Sequence, residues 1–477
     1  MKPQATFEAT PPLDDAFIER LKAILPGAVI TDSGQLESYL IEERGLFTST
    51  ARVVIVPDCA ETLAKAVRLC AEHRVPMVPQ GGNTGLVGGA VANQGEVVVS
   101  MRRMRAVRNI DPVNFTATVE AGCILADLQN AADAESCLFP LSLGAEGSCT
   151  VGGNIASNAG GMGVLRYGNM RELTLGLEVV LPDGRIWNGM RPLYKDNSGY
   201  SLKNLFVGSE GTLGFVTAAV VKLFPKPRHV QTAFCALPSV EAALELLSLA
   251  RRNSGDAVTA FELMSEFSLE IVCRHTDRDS PLSEPAPWFA MIELSSSRPQ
   301  DNLQEIFQST LEEAFKAELI LDAVIASSLE QGHKLRQLRE STPEAQKRAG
   351  GSIKHDVSVP VSSIPVFIER ASAAVAEYMP GIHFCVFGHV GDGNVHYNLT
   401  QPDDMTKEAF LAHWGAVNDI VHPLAMSLGG SISAEHGIGL LKVSEIKGYR
   451  SPEEQGLLCE IKQAVDPDNL MNPGKMI

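Results

Sequence analysis

The chain has 477 residues, of which 45% are hydrophobic and 20% charged, and its formal net charge is −17. This length predicts two or three domains, and the composition is that of a globular protein and excludes a disordered or fibrous one. The negative charge argues against a nucleic-acid partner, because such binding needs clusters of Lys and Arg. An anionic ligand would therefore need a local pocket of cations or backbone amides.

The first half of the chain alternates β-rich runs with helical spacing. A helix is predicted over 60–74, and Pro182-Asp-Gly184 predicts a hairpin turn, because Gly supplies the positive φ. Two prolines within the basic stretch Pro225–Arg228 predict a domain boundary. The predicted strands cover residues 52–57, 75–78, 97–100, 116–119, 177–181 and 215–224.

The pattern changes after this boundary. Helices are predicted over 240–252 and 301–316 with strand-like runs beside them, which indicates an antiparallel α+β unit. From about Gly429 the chain is again rich in Gly and Pro.

Cysteine usage and the chain start bear on location. None of the nine Cys forms a C-x-x-C pair, which favours buried thiols in a reducing compartment. The first residues contain no apolar signal core, and no apolar run approaches the length of a membrane span. We expect a cytoplasmic protein, and a mitochondrial matrix location after loss of a presequence stays open.

Two segments are dense in glycine, at 79–90 (PQGGNTGLVGGA) and 144–161 (GAEGSCTVGGNIASNAGG). Glycine lets consecutive backbone N–H groups approach a ligand, so these segments predict a diphosphate held by amides; tight turns are the alternative. Neither G-x-G-x-x-G nor G-x-x-x-x-G-K-[ST] occurs. A Rossmann nicotinamide site and a P-loop are therefore not supported.

Together with NLFVGSEGTLGFVT at 204–217, these segments resemble the FAD-binding domain of the vanillyl-alcohol oxidase and para-cresol methylhydroxylase superfamily. The resemblance implies FAD between two α+β subdomains over 1–228, an α+β substrate (cap) domain over 229–428, and a C-terminal segment over 429–477 that returns to the flavin. The first loop has no His, so FAD is expected to bind non-covalently. The residues expected to surround FAD are Pro79, Gln80, Gly81, Gly82, Asn83, Thr84, Gly85, Gly144, Ser148, Gly152, Gly153, Asn154, Ala159, Glu210, Gly211, Gly214, Val216 and Asn472.

A histidine pair is the most specific chemical feature. Asp392-Gly393 predicts a two-residue hairpin turn that would pair His389 with His396, so that both imidazoles project from one face. Asn398, two residues further, would point the same way. A lone His is usually structural, but two in register indicate a metal site.

Glu435-His436 offers a third ligand. In an extended stretch the two side chains project in opposite directions, so one can face a metal and the other a second target. Two His and one carboxylate with an open position are typical of catalytic zinc, and manganese or iron would also accept them. A salt-bridged Glu-His pair on a loop is the alternative.

These C-terminal segments resemble the branch of the D-2-hydroxyglutarate and D-lactate dehydrogenases. The resemblance implies that His389, His396 and Glu435 bind a divalent metal, most readily zinc, that His436 is the base, and that Asn398 contacts the substrate. It also implies that Arg339, Thr342 and Lys354 bind the substrate carboxylates, although Pro343 occupies the position expected for the Thr. A solvated helix face and a strand-end Lys are the alternative for the two cations.

The implied reaction is the oxidation of a D-2-hydroxy acid. The metal would hold the hydroxyl and carboxylate, His436 would accept the proton, and C2 would pass its hydride to FAD. Two cations favour a dicarboxylate, D-2-hydroxyglutarate or D-malate, over D-lactate or glycolate. A non-catalytic flavin-binding accessory subunit is the alternative of another class. Electron-transfer flavoprotein, cytochrome, quinone and oxygen all remain as acceptors, and a homodimer is left open.

Overall fold

The structure is a computed structural model that describes residues 13–477. In chain order, its strands are β1 (Val29–Ile30), β2 (Val54–Ile55), β3 (Met77–Gln80), β4 (Val97–Ser100), β5 (Val107–Asp111), β6 (Thr116–Glu120), β7 (Cys137–Leu138), β8 (Thr174–Val180), β9 (Ile186–Gly189), β10 (Phe215–Lys222), β11 (Phe224–Pro225), β12 (His229–Leu237), β13 (Val258–Ser265), β14 (Trp288–Ser296), β15 (Asp322–Ile325), β16 (Ser352–Ile353), β17 (Asp356–Ser358), β18 (His383–Gly388) and β19 (Asn394–Thr400). Its helices are α1 (Asp15–Ile24), α2 (Ser33–Leu40), α3 (Ala60–Glu72), α4 (Leu125–Ala134), α5 (Val151–Ser157), α6 (Val164–Tyr167), α7 (Met170–Leu173), α8 (Lys203–Phe206), α9 (Val240–Ser254), α10 (Glu266–His275), α11 (Leu303–Lys316), α12 (Leu329–Glu340), α13 (Thr342–Ala349), α14 (Ile364–Tyr378), α15 (Lys407–Leu411), α16 (Trp414–Ser427), α17 (Val443–Ile446) and α18 (Pro452–Val465).

A four-stranded sheet in the order β1-β2-β4-β3 carries the first glycine loop at the end of β3. Strands β2 and β3 run parallel to β4, and α3 packs on the sheet through a buried stripe that includes Leu63 and Val67. β3 begins later than the predicted strand 75–78, because the backbone N–H of Val75 closes α3 by donating to the Cys70 carbonyl. Pro79 and Gln80 therefore lie in the strand, and the loop starts at Gly81.

The second sheet is antiparallel, in the order β5-β6-β10-β8-β9. The predicted hairpin between β8 and β9 is confirmed, since Gly184 has φ +80° and donates to the Leu181 carbonyl at 2.9 Å. A side chain at Gly184 would also lie 2.6 Å from the Ala64 carbonyl of α3, so this turn fixes how the two sheets pack.

The third sheet has eight strands in the order β15-β12-β14-β13-β18-β19-β16, with β17 also paired to β19. All of its pairs are antiparallel, as the sequence predicted for this part of the chain. Helices α9, α11, α14 and α16 bury one face, and α10, α12 and α13 bury the other. The predicted helices 240–252 and 301–316 correspond to α9 and α11.

The last residues return to the first sheet. Met471 bridges Met77 of β3, and the Asn472 N–H donates to the Met77 carbonyl at 2.8 Å. Within residues 13–477, no helix is long and apolar enough to cross a membrane. The prediction that the chain start contains no signal core rests mostly on residues 1–12, and these lie outside the described residues.

Candidate active site

A cavity opens between the end of β3, the start of α5 and the loop before β10. Both glycine segments contribute to its wall, and His436 reaches it from the C-terminal part of the chain. Among the residues expected to surround the cofactor, those that line it are Pro79, Gln80, Gly81, Gly82, Asn83, Thr84, Gly85, Gly152, Gly153, Asn154, Glu210, Gly211, Gly214 and Val216.

The first glycine loop presents its amides to this cavity. Within the described residues, none of the five backbone N–H groups from Gly81 to Gly85 donates to a protein acceptor. A side chain at Gly82 would lie 2.2 Å from the Ser148 carbonyl, so only glycine allows the two glycine segments to approach this closely. Consecutive free amides beside a cavity suit a diphosphate.

Four other residues expected at the cofactor do not line the cavity. Gly144 and Ser148 are exposed on the neighbouring loop, and Ala159 is buried behind it. Asn472 is buried as well, and its amide nitrogen donates to the Gly89 carbonyl at 2.9 Å and the Glu210 carbonyl at 2.7 Å. Through these two hydrogen bonds, Asn472 links two walls of the cavity.

Glu210 ties the cavity to the C-terminal segment. Its carboxylate accepts the backbone N–H groups of Ile438 at 2.7 Å and Gly439 at 2.8 Å. Burial raises the pKa of Glu210, although these two hydrogen bonds oppose the shift. The loop that carries Glu435 and His436 is thereby held against the cavity.

The predicted register of the histidine hairpin is wrong. His396 pairs with Phe387, and His389 lies in a five-residue turn, 389–393, instead of opposite His396. Hydrogen bonds to the neighbouring β17 segment decide this register: Gly393 accepts from the Val359 N–H, and the Asn394 side chain donates to Asp356 and to the Val357 carbonyl.

The two imidazoles nevertheless converge, with ring centroids 5.6 Å apart. His389 Nε2 lies 3.7 Å from Glu435 Oε1, and His396 Nε2 lies 3.8 Å from Glu435 Oε2. These separations exceed a hydrogen bond, and one potential ligand atom from each residue lies within 4.8 Å of the others. The three predicted metal ligands therefore surround one small space.

The electrostatics of this space are strongly coupled. Burial raises the pKa of Glu435 to about 7, although His389 opposes the shift. Burial alone would lower the pKa of His389, but the carboxylates of Glu262 and Glu435 outweigh it and raise the pKa to about 9. The negative charge that holds a proton on His389 would equally attract a cation.

Glu435 and His436 lie in a bent loop, not in the extended stretch that the sequence predicted. Both backbone N–H groups donate to Asp356 Oδ2, at 3.0 and 2.9 Å. Glu435 faces the histidine pair and His436 lines the cavity, but one potential ligand atom of each also lies within 4.8 Å of the other and of Asp356, so the two side chains converge instead of projecting apart.

Asp356 is a buried carboxylate to which the sequence assigned no role. Its Oδ2 lies 3.3 Å from His436 Nδ1, and its Oδ1 lies 3.8 Å from His396 Nδ1. Burial opposes ionisation, but His436 and Lys442 hold the pKa of Asp356 below its usual range. For His436, burial lowers the pKa and outweighs the opposing effect of the Asp356 carboxylate.

Glu262 on β13 is a second carboxylate that the sequence did not identify. It is fully buried, and its Oε1 lies 2.6 Å from His389 Nδ1. Arg339 Nε lies 2.8 Å from Glu262 Oε2, in an ion pair without the angle of a hydrogen bond. Arg339 is buried and its guanidinium stacks 4.6 Å from the Phe387 ring centre, so it is not on a solvated helix face.

The other three expected substrate contacts have different surroundings. Lys354 forms no ion pair within residues 13–477, and burial lowers its pKa. Thr342 is fully buried, and its hydroxyl has no partner among the described residues. Asn398 is already engaged, since its amide donates to Gln346 at 3.0 Å and accepts the His355 N–H at 3.2 Å.

Two family models match this chain. The model described as FAD linked oxidases, C-terminal domain, covers residues 226–476, and the model described as FAD binding domain covers residues 51–189. The D-2-hydroxyglutarate dehydrogenase, mitochondrial, of Danio rerio is 36% identical over 459 residues, 96% of this chain and 84% of the relative. The D-2-hydroxyglutarate dehydrogenase of Stutzerimonas stutzeri is 34% identical over 464 residues, 97% of this chain and 99% of the relative.

Solved structures share the fold. An alkyldihydroxyacetonephosphate synthase superposes with a TM-score of 0.76 at 17% identity, covering 98% of this chain and 86% of its own. Substrate-bound p-cresol methylhydroxylase superposes with a TM-score of 0.73 at 17% identity, covering 97% and 96%. The fold expected from the glycine-rich motifs is confirmed.

Proposed function

Because this chain belongs to the family of FAD-linked oxidases and dehydrogenases, in the branch of the D-2-hydroxyglutarate dehydrogenases, we propose that it oxidises a D-2-hydroxy acid to the 2-oxo acid by hydride transfer to FAD. We propose D-2-hydroxyglutarate as the substrate, with D-malate next. FAD binding is non-covalent in this proposal, because the amide loop contains no His.

One observation carries the proposal: His389, His396 and Glu435 converge beside His436, which itself lines the cofactor cavity. The proposed metal ligands, the proposed base and the proposed flavin cavity therefore lie next to one another. The loop amides without protein acceptors, and the close approach that only Gly82 permits, fit the diphosphate of FAD.

The chemistry of the three converging residues fits a divalent cation. Within the described residues the Glu435 carboxylate accepts no hydrogen bond, although it lies deep in the site opposite two imidazole nitrogens. Two His and one carboxylate are the ligands of many catalytic zinc sites, and manganese or iron would be accepted too. We propose His389, His396 and Glu435 as the ligands.

When bound, FAD supplies a hydride acceptor and the cation supplies a Lewis acid for the substrate hydroxyl and carboxylate. His436 accepts the hydroxyl proton, a role that its lowered pKa permits at neutral pH. Asp356, 3.3 Å from His436 Nδ1, orients the ring and stabilises the imidazolium that forms.

Arg339 and Lys354 support a dicarboxylic substrate. Glu262 occupies only the Nε side of Arg339, and the Nη groups donate no hydrogen bond within residues 13–477, so they can receive a carboxylate in a bidentate pair. Lys354 forms no ion pair within the described residues, and the buried Thr342 hydroxyl has no hydrogen-bond partner there. A monocarboxylate such as D-lactate or glycolate would leave one of the two cations unpaired.

The reaction is tested by anaerobic titration of His436→Ala with D-2-hydroxyglutarate. The variant should retain FAD and metal yet fail to bleach the flavin absorbance, which the wild type should lose at one equivalent. Full bleaching of the variant would show that flavin reduction does not require His436. Absence of bleaching in the wild type with every candidate acid would favour the accessory-subunit alternative.

The substrate class is tested by Lys354→Met, with Lys347→Met, an exposed neighbour, as control. Loss of a hydrogen bond to a charged group costs about 1.5–3 kcal/mol. The KM for D-2-hydroxyglutarate should therefore rise about tenfold or more, while the KM for D-lactate should stay unchanged. An equal rise for both acids, or a best wild-type rate with D-lactate or glycolate, would contradict a dicarboxylic substrate.

A further inference from the structure

Glu262 joins the two halves of the proposed site. One carboxylate oxygen lies 2.6 Å from Nδ1 of His389, a proposed metal ligand, and the other lies 2.8 Å from Nε of Arg339, a proposed substrate contact. The three residues come from β13, the turn after β18 and α12, and 127 positions separate Glu262 from His389.

The bond to His389 selects how that imidazole can act. A neutral imidazole carries one proton, and donation from Nδ1 to a carboxylate leaves the lone pair on Nε2. Nε2 is the atom that faces Glu435, at 3.7 Å. A carboxylate behind a ligating histidine also fixes the ring plane and increases the basicity of the ligand nitrogen.

The contact with Arg339 has a parallel consequence. The ion pair with Glu262 and the stack on Phe387 hold the guanidinium plane from two directions, while the Nη groups stay free of protein acceptors within the described residues. A buried arginine without a counter-charge would be unfavourable, so Glu262 also allows Arg339 to remain in the site before substrate binds.

We propose that Glu262 is a positioning residue that sets the cation affinity of His389 and the orientation of Arg339 together. This inference rests on the proposed function, because it presumes a cation at His389 and an anionic substrate at Arg339. Substituting Glu262 should therefore weaken metal and substrate binding at once, although Glu262 contacts neither.

The chain contains a matched control. Glu293 lies on the adjacent strand β14 and pairs with Arg336, one turn before Arg339 on the same helix. Glu293 also accepts the Thr259 hydroxyl at 3.0 Å, and within residues 13–477 it forms no ion pair or hydrogen bond with a histidine. Glu293→Gln thus removes the same charge from the same sheet and breaks an ion pair with the same helix, although this pair is hydrogen-bonded and less buried.

The test uses the FAD-loaded protein, stripped of metal and titrated with Zn²⁺ against a chromophoric chelator. Glu262→Gln should raise the apparent Kd for Zn²⁺ about 10- to 100-fold, the usual range for partners of metal ligands, and should raise KM for D-2-hydroxyglutarate. Its FAD content should match that of Glu293→Gln, whose Zn²⁺ affinity should equal that of the wild type.

A wild-type Kd for Zn²⁺ in Glu262→Gln would overturn the inference and leave the proposed function standing. A wild-type protein that binds neither Zn²⁺ nor Mn²⁺ would instead refute the metal in the proposed function, and the inference with it. Should Glu262→Gln lose FAD, Glu262→Asp is assayed, since the shorter side chain cannot reach both partners. Loss of FAD in both variants would assign Glu262 a structural role and overturn the positioning role.

Discussion

Gly82→Ala is expected to weaken FAD binding through a backbone clash. The added Cβ would lie 2.2 Å from the Ser148 carbonyl and 2.9 Å from Cys149 Cα, so one loop must move by about 1 Å to restore van der Waals contact. The opposing loop resists, because the N–H groups of both Ser148 and Cys149 donate to the Ala145 carbonyl. The first glycine loop should therefore be the one displaced, together with its free amides.

The size of the effect follows from the packing cost. Insertion of a methyl group into a closely packed site costs about 1–3 kcal/mol, which corresponds to roughly a 5- to 150-fold loss of FAD affinity if the strain appears on binding. Gly147→Ala is the control, since a Cβ there meets no atom of the described residues within 4 Å. The measurement is fluorescence titration of the flavin-free protein with FAD. A Kd for Gly82→Ala within twofold of the control would refute the reasoning that the two loops must touch to bind FAD.

Three further outcomes are expected. A strong chelator should abolish turnover while the FAD absorbance persists, and added Zn²⁺ should restore it; turnover that survives complete metal removal would contradict a cation at Glu435. Burial lowers the pKa of Lys475 from 10.5 to about 8, so the unfolded state binds more protons between these pH values and stability rises with pH across that window. Lys475→Met should therefore flatten this rise in the free energy of unfolding between about pH 8 and pH 10.5, measured by urea titration at several pH values, and an unchanged pH dependence would count against it. Thr342→Val should raise KM for D-2-hydroxyglutarate about tenfold without lowering Tm, because its hydroxyl has no protein partner within residues 13–477; an unchanged KM would remove Thr342 from the substrate site.

Much of the fold followed from local patterns. The amphipathic spacing in α3 and α9 and the Gly184 turn act over a few residues, so they could be predicted without knowledge of the remaining chain. The glycine segments likewise indicated a phosphate-binding loop, because the free approach of amides depends on the absence of Cβ atoms. The exact ends of β3 depended on how α3 terminates, and were missed by two residues.

The histidine hairpin shows where local reasoning ends. Asp392-Gly393 favours a two-residue turn, but hydrogen bonds from the β17 segment lengthen the turn and shift the register. His389 and His396 meet all the same, because a side chain at the start of the turn can reach across it. The ligand types were predicted from the residues, and the reason given for their proximity was wrong.

The sequence by itself determined which groups are available: glycine loops for a diphosphate, two imidazoles and a carboxylate for a cation, and an arginine and a lysine for an anion. Only the tertiary structure decided that Glu262 lies behind His389 and that Asp356 lies behind His436. Strands β13 and β18 are neighbours in the sheet although more than a hundred residues separate them, and nothing in the local pattern around Glu262 specifies that pairing. Buried carboxylates derive their roles from the charges that packing brings to them, so those roles appear only when the sheet order is known.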